Sequence, residues 1–141
     1  MTNFDFWDYR VEVDEQATKA WYDTSNDWGC ECGDCRNFLA LARSRQLPDE
    51  ILTVLDRLGI PPEKATYVCE MYPEADGHCY QFSYRLAGRI LEEPDKADQD
   101  RNAGRCCHEP YPYGAIGFPE PHFDLEFWPI LPWVLDKSED R

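Results

Sequence analysis

Tyr80, Phe82, Tyr84 and Leu86 alternate with Gln81, Ser83 and Arg85, and this period of two restricts the fold more than any other feature. Successive side chains of a strand point to opposite faces, so the run predicts a strand over 79–91 with one face buried against another layer. Residues 66–72 read as a second strand, joined to the first by the turn-rich Pro73-Glu74-Ala75-Asp76-Gly77-His78. A hairpin symmetric about Asp76-Gly77 sets Met71 against Phe82, Cys69 against Tyr84 and Tyr67 against Leu86. That register places Cys69 on the apolar face and Cys79 on the polar one.

Around this hairpin the chain reads as strand and helix in separate blocks. Alternation at Tyr9, Val11 and Val13 predicts a strand over 4–13. Asp14-Glu15-Gln16 reads as a turn, with 17–22 returning as its hairpin partner. A helix is expected over 35–46, with Asp34 as N-cap and Cys35, Phe38, Leu39 and Ala42 forming the buried stripe. A second helix over 48–58 starts with Pro48, Asp49 and Glu50. Ile51, Val54, Leu55 and Leu58 share its apolar face, and Gly59 followed by Pro61-Pro62 ends it.

Residues 92–121 read as a long irregular loop rich in Pro and Gly. Phe123, Leu125 and Phe127 then alternate with Asp124 and Glu126, which are expected on a solvated face, and residues 137–141 as a frayed tail. The order predicts a single α+β domain over 1–141: an antiparallel sheet of about five strands with two helices packed on one face. No βαβ alternation supports a doubly wound fold.

Charge narrows the partners. The chain carries 28 acidic and 14 basic side chains, a formal net charge of −14. Nucleic acid and anionic membranes are excluded as expected partners, because both are bound by Lys and Arg displacing counterions. The N-terminal residues lack the basic start and apolar run of a signal peptide, and no stretch approaches the ~18 apolar residues of a membrane span. The expected compartment is the cytoplasm, where thiols stay reduced. Seven cysteines in that setting read as metal ligands, redox groups or small core residues, and the odd number suits a disulfide framework poorly.

The sharpest chemical signal is Cys30-Glu31-Cys32-Gly33-Asp34-Cys35-Arg36-Asn37-Phe38. C-x-C and C-x-x-C share Cys32, so three thiols can converge where a tight turn meets a helix start. A structural zinc site needs four ligands. Cys30, Cys32 and Cys35 supply three, and Cys69 is the expected fourth, with Cys79, Cys106, Cys107, His78 and His108 as further donors. Two other readings stay open: core and turn thiols with no ligand, or disulfide exchange with Cys32 attacking and Cys35 resolving. Asp34 weakens the exchange reading, since a carboxylate disfavours a neighbouring thiolate.

Arg105-Cys106-Cys107-His108 is a second thiol patch, read as loop thiols, a vicinal disulfide pair or a metal ligand beside His108. The Tyr111-Pro112-Tyr113-Gly114-Ala115-Ile116-Gly117-Phe118 run reads as core cover or as a recognition surface. No G-x-S-x-G, H-E-x-x-H or P-loop motif occurs, so no catalytic residues are assigned. His78, His108 and His122 are expected in turns or loops.

The knuckle at Cys30–Phe38, the Leu47-Pro48…Leu58-Gly59-Ile60 helix, Tyr80-Gln81-Phe82-Ser83-Tyr84 leading to Gly88 and Ile90, and the closing Leu131-Pro132-Trp133-Val134-Leu135 together resemble a family of small uncharacterised bacterial proteins. The resemblance implies a bacterial origin and a compact fold; it implies no activity or substrate. From the residues, the expected function is a non-enzymatic binding or interaction protein with a structural thiol knuckle, zinc being the knuckle's candidate metal. Its partner would be another protein or a second copy of the chain. The alternative is a thiol-dependent redox enzyme or sensor using Cys32 and Cys35.

Overall fold

The computed structural model describes residues 1–94, 104–108 and 115–135. The fold is α+β and built on an antiparallel sheet; among the described residues it has seven strands where about five were expected and three α-helices where two were expected.

The N-terminal strand is a hairpin, β1 (Thr2–Phe6) with β2 (Tyr9–Val13). Its turn residues Trp7 and Asp8 both take positive φ, 49° and 71°, as a two-residue hairpin turn requires. No glycine announces that turn. Trp7 holds its costly conformation because its ring packs edge-on against Phe127, with centroids 5.6 Å apart.

The stretch expected as the returning strand is helix α1 (Glu15–Thr24). Asp14 decides the outcome: its carboxylate accepts the backbone N–H of Ala17 at 3.0 Å, an N-cap rather than a turn. Thr18 and Tyr22, one helical turn apart, are buried. The Tyr22 hydroxyl donates to the Arg85 carbonyl at 2.8 Å.

Helices α2 (Gly33–Arg43) and α3 (Asp49–Leu58) lie where the periodicity puts them. On α2, Cys35, Phe38, Leu39 and Ala42 are all buried. On α3, Gly59 takes φ 71° and Ile60 N–H reaches back to the Leu55 carbonyl at 3.0 Å, the glycine-capped end that the sequence predicts.

The remaining strands are β3 (Tyr67–Glu74), β4 (Gly77–Glu92), β5 (Arg105–Cys107), β6 (His122–Phe127) and β7 (Ile130–Leu131). They run in the order β1-β2-β4-β6-β5, with β3 and β7 also paired to β4. The sixteen-residue β4 is therefore the spine of the molecule. Strand β5 falls inside the span expected as irregular loop, and pairs with β6.

The β3–β4 register differs from the symmetric expectation. The loop closes at Glu74 opposite Gly77, an irregularity falls between Glu70 and Tyr72, and Cys69 pairs with Gln81 instead of Tyr84. A shift by an odd number of residues exchanges the two faces of a strand. Cys69 therefore leaves the Tyr80-Phe82-Tyr84 face.

That apolar face forms the core. Phe38 of α2 packs on Phe82 at 4.9 Å between ring centroids, and Phe82 on Phe127 at 5.7 Å. Each such ring buried stabilises the fold by roughly 1.5–3 kcal/mol. The opposite face of the sheet corrects another expectation, because Ser83, Arg85, Asp124 and Glu126 are buried, not solvated. Arg85 pairs with Asp124 at 3.0 Å and Arg105 with Glu126 at 2.6 Å. Polar alternation here encodes ion pairs facing one another across β4, β6 and β5, since buried charge persists only when paired.

Ala115 and Phe118 are buried and Phe118 packs beside Trp21, which supports core cover for that half of the aromatic run. Tyr111 to Gly114, and the tail at 137–141, lie outside the described residues. Among the described residues, no helix is long and apolar enough to cross a membrane.

Candidate metal centre

The chain enters the knuckle from α1 through an irregular stretch and turns into α2 at Cys32, whose backbone is extended (φ −66°, ψ 163°). Cys32 itself is the N-cap, where Asp34 was expected. Its sulfur accepts the Cys35 backbone N–H at 3.4 Å, and its carbonyl accepts the Arg36 N–H at 2.9 Å. Asp34 sits two residues on, in the first turn of α2, where its negative charge complements the helix dipole. The C-x-x-C spacing thus places Cys32 and Cys35 together at the mouth of the helix.

Cys30 completes the group. The three sulfur atoms lie within 4.8 Å of one another, Cys30 and Cys32 exposed and Cys35 buried. Hydrogen bonds from the Cys32 backbone and from the Cys35 thiol hold Cys30 below the ordinary thiol range, against a smaller opposing effect of burial. Burial pushes Cys35 far up, and the hydrogen bond that the Trp28 indole donates to its sulfur at 3.1 Å offsets this only in part. The easily ionised thiol is the solvent-facing one. The buried thiol keeps its proton until something of opposite charge takes its place.

The expected fourth ligand is elsewhere. Cys69 stands outside the group of three, and its thiol lies 3.4 Å from the Glu70 carbonyl. The other donors disperse too. Cys79 is buried near the Trp128 carbonyl, Cys106 is buried in the core and Cys107 is half-buried on β5. All seven cysteines are free thiols in the structure, Cys106 and Cys107 among them. His108 pairs with Glu93 at 2.9 Å, and His122 lies 3.0 Å from the Pro119 carbonyl.

His78 was expected in a turn, but it is the second residue of β4 and is 2% exposed. Its Nδ1 lies 2.9 Å from Glu70 Oε2. The Trp133 ring sits 5.4 Å from its own. The signal was available, because running the Tyr80-Phe82-Tyr84 alternation back by two residues puts His78 on the buried face.

Asn37 fixes the knuckle helix to the sheet. Wholly buried, it donates from Nδ2 to the Pro132 carbonyl at 3.0 Å and to the Tyr80 hydroxyl at 3.3 Å, and accepts the Val134 N–H at 2.8 Å. Tyr80 in turn donates to the Asp34 carbonyl at 2.7 Å. The first turn of α2 is thereby tied to β4 and to the segment after β7, which holds the sulfur-bearing end in one orientation. Comparison with protein-family models, curated proteins and solved structures finds no match.

Proposed function

We propose that the protein is a non-enzymatic binding module whose thiol knuckle holds a zinc ion through Cys30, Cys32 and Cys35, with a partner docking beside it. The observation that carries this reading is the gathering of three sulfur atoms within 4.8 Å at an anchored helix start. Thiolates favour zinc over harder cations. Zinc bound by three protein ligands keeps one coordination position for an outside donor, and the exposure of Cys30 and Cys32 leaves room for it. A partner protein, or a second copy of the chain, supplies that donor in this reading. A shallow depression lined by Trp21, Ser25, Asp27, Trp28 and Ile116 lies next to the knuckle; it offers apolar surface and only one titratable group. The negative charge of the chain favours a partner with a basic surface.

Protein purified without chelator should contain about one zinc per chain, and Cys35→Ser should abolish it. Cobalt in its place should show a sulfur-to-metal charge-transfer band and the visible spectrum of a tetrahedral site. A zinc-free preparation of equal stability refutes the proposal.

The thiol-exchange alternative is supported by a different observation, the lowered Cys30 thiol beside Cys35. In that reading Cys30, rather than Cys32, makes the attack. Alkylation of the native, metal-stripped protein near neutral pH should then label Cys30 first, and loss of disulfide-exchange activity in Cys30→Ser is its requirement.

A further inference from the structure

A second group of metal-ligating side chains stands beside the knuckle. Donor atoms of Asp34, Glu70 and His78 lie within 4.8 Å of one another. They come from three different elements: the first turn of α2, strand β3 and the start of β4. The β3–β4 register explains the convergence. Glu70 pairs with Tyr80, so Glu70, His78 and Tyr80 share the face that α2 covers, and the Tyr80 hydroxyl holds the Asp34 backbone against it.

Two of its three side chains are enclosed. The His78 side chain is 2% exposed and that of Glu70 is 5% exposed, with Trp133 over the imidazole. Two carboxylates brought this close in a chain of net charge −14 repel each other, and burial removes the water that would screen them. A divalent cation supplies two positive charges and accepts the imidazole nitrogen as a neutral ligand. One nitrogen and two carboxylate groups suit the harder first-row divalent ions such as Mn²⁺ and Fe²⁺ and are a poor match for Ca²⁺, which takes oxygen ligands.

We propose that Asp34, Glu70 and His78 form a second metal site, for a first-row divalent transition cation, distinct in donor chemistry from the sulfur site and independent of it. Asp34 lies between Cys32 and Cys35 in the chain, so the two sites share one helical turn.

The test uses Mn²⁺ alone as the probe and the full chain with Cys30→Ser, Cys32→Ser and Cys35→Ser, which removes the sulfur site while serine keeps the helix cap. Electron paramagnetic resonance reads free Mn²⁺ directly. Uptake of about one Mn²⁺ per chain is expected in both wild type and the triple variant, with affinity falling more than about tenfold in Asp34→Asn and Glu70→Gln. Asp34 is half-buried, so its variant decides the matter if Glu70→Gln fails to fold by circular dichroism. Absence of Mn²⁺ uptake by folded wild type, or uptake unchanged in Asp34→Asn, overturns the proposal. Loss of zinc in the triple variant with Mn²⁺ uptake retained separates this site from the sulfur one.

Discussion

Replacing Asn37 by alanine should detach the knuckle helix from its anchor at a cost that the geometry sets. Asn37 is wholly buried and makes three hydrogen bonds, to Tyr80, to the Pro132 carbonyl and from the Val134 N–H. Each such bond contributes about 1 kcal/mol, and a partner left unsatisfied costs about 1–3 kcal/mol. The Tyr80 hydroxyl keeps its bond to Asp34, and the exposure of Pro132 and Val134 lets water reach their backbone. The sum is therefore taken at the low end, about 3 kcal/mol, equivalent to a Tm lower by about 10 °C for a domain of this size. Urea denaturation at neutral pH measures the global effect, and hydrogen exchange at the Val134 amide measures the local one. Asn37→Asp sharpens the reasoning. It preserves shape but replaces the Nδ2 donor with an acceptor facing the Pro132 carbonyl, so it should be as damaging as alanine at neutral pH and milder in acid, where a protonated carboxyl donates again. An alanine variant within about 0.5 kcal/mol of wild type, with Val134 exchange unchanged, would refute the anchoring role.

Three other perturbations probe the rest of the fold. Burial raises the pKa of Cys35, Cys106, Tyr22, Tyr80 and Tyr84. The folded state thus holds protons that the unfolded chain releases above about pH 8.5 for thiols and about pH 10 for tyrosines. Stability should be full below that window and fall as pH rises through it; a urea midpoint unchanged from pH 8 to pH 11 contradicts this. Gly88→Ala should disrupt β2–β4 pairing, because Gly88 has φ 143° and an added Cβ would overlap the Glu12 backbone; a wild-type melting curve would count against the register. Ser83→Ala should be neutral or stabilising by up to about 1 kcal/mol, since the buried Ser83 hydroxyl has no hydrogen-bond partner among the described residues; marked destabilisation would reveal a partner for it.

Local signals settled what is local. The helix over 49–58 was legible because its start, stripe and stop all lie within a dozen residues: acidic first turn, apolar period, Gly59. The C-x-C-x-x-C spacing likewise carries its own geometry, since a turn running into a helix brings Cys30, Cys32 and Cys35 within 4.8 Å of one another. Even the alternation of β4 held, and it reaches back to His78. Where the sequence misled, a competing local reading existed. Asp14 reads equally well as a turn residue or a helix cap, and Trp7-Asp8 makes a hairpin turn without the glycine that usually marks one.

Register and burial belonged to the tertiary structure alone. One irregularity between Glu70 and Tyr72, invisible in composition, moved Cys69 to the other face and brought Glu70 beside His78. Likewise Asp124 and Glu126 look like solvent residues in the sequence, yet they lie buried against Arg85 and Arg105. A residue's type sets the cost of burying it, but whether a partner stands opposite depends on strands far apart in the chain. The amino-acid order by itself determined where thiols gather; only the folded sheet decided which carboxylates and which histidine would meet one another.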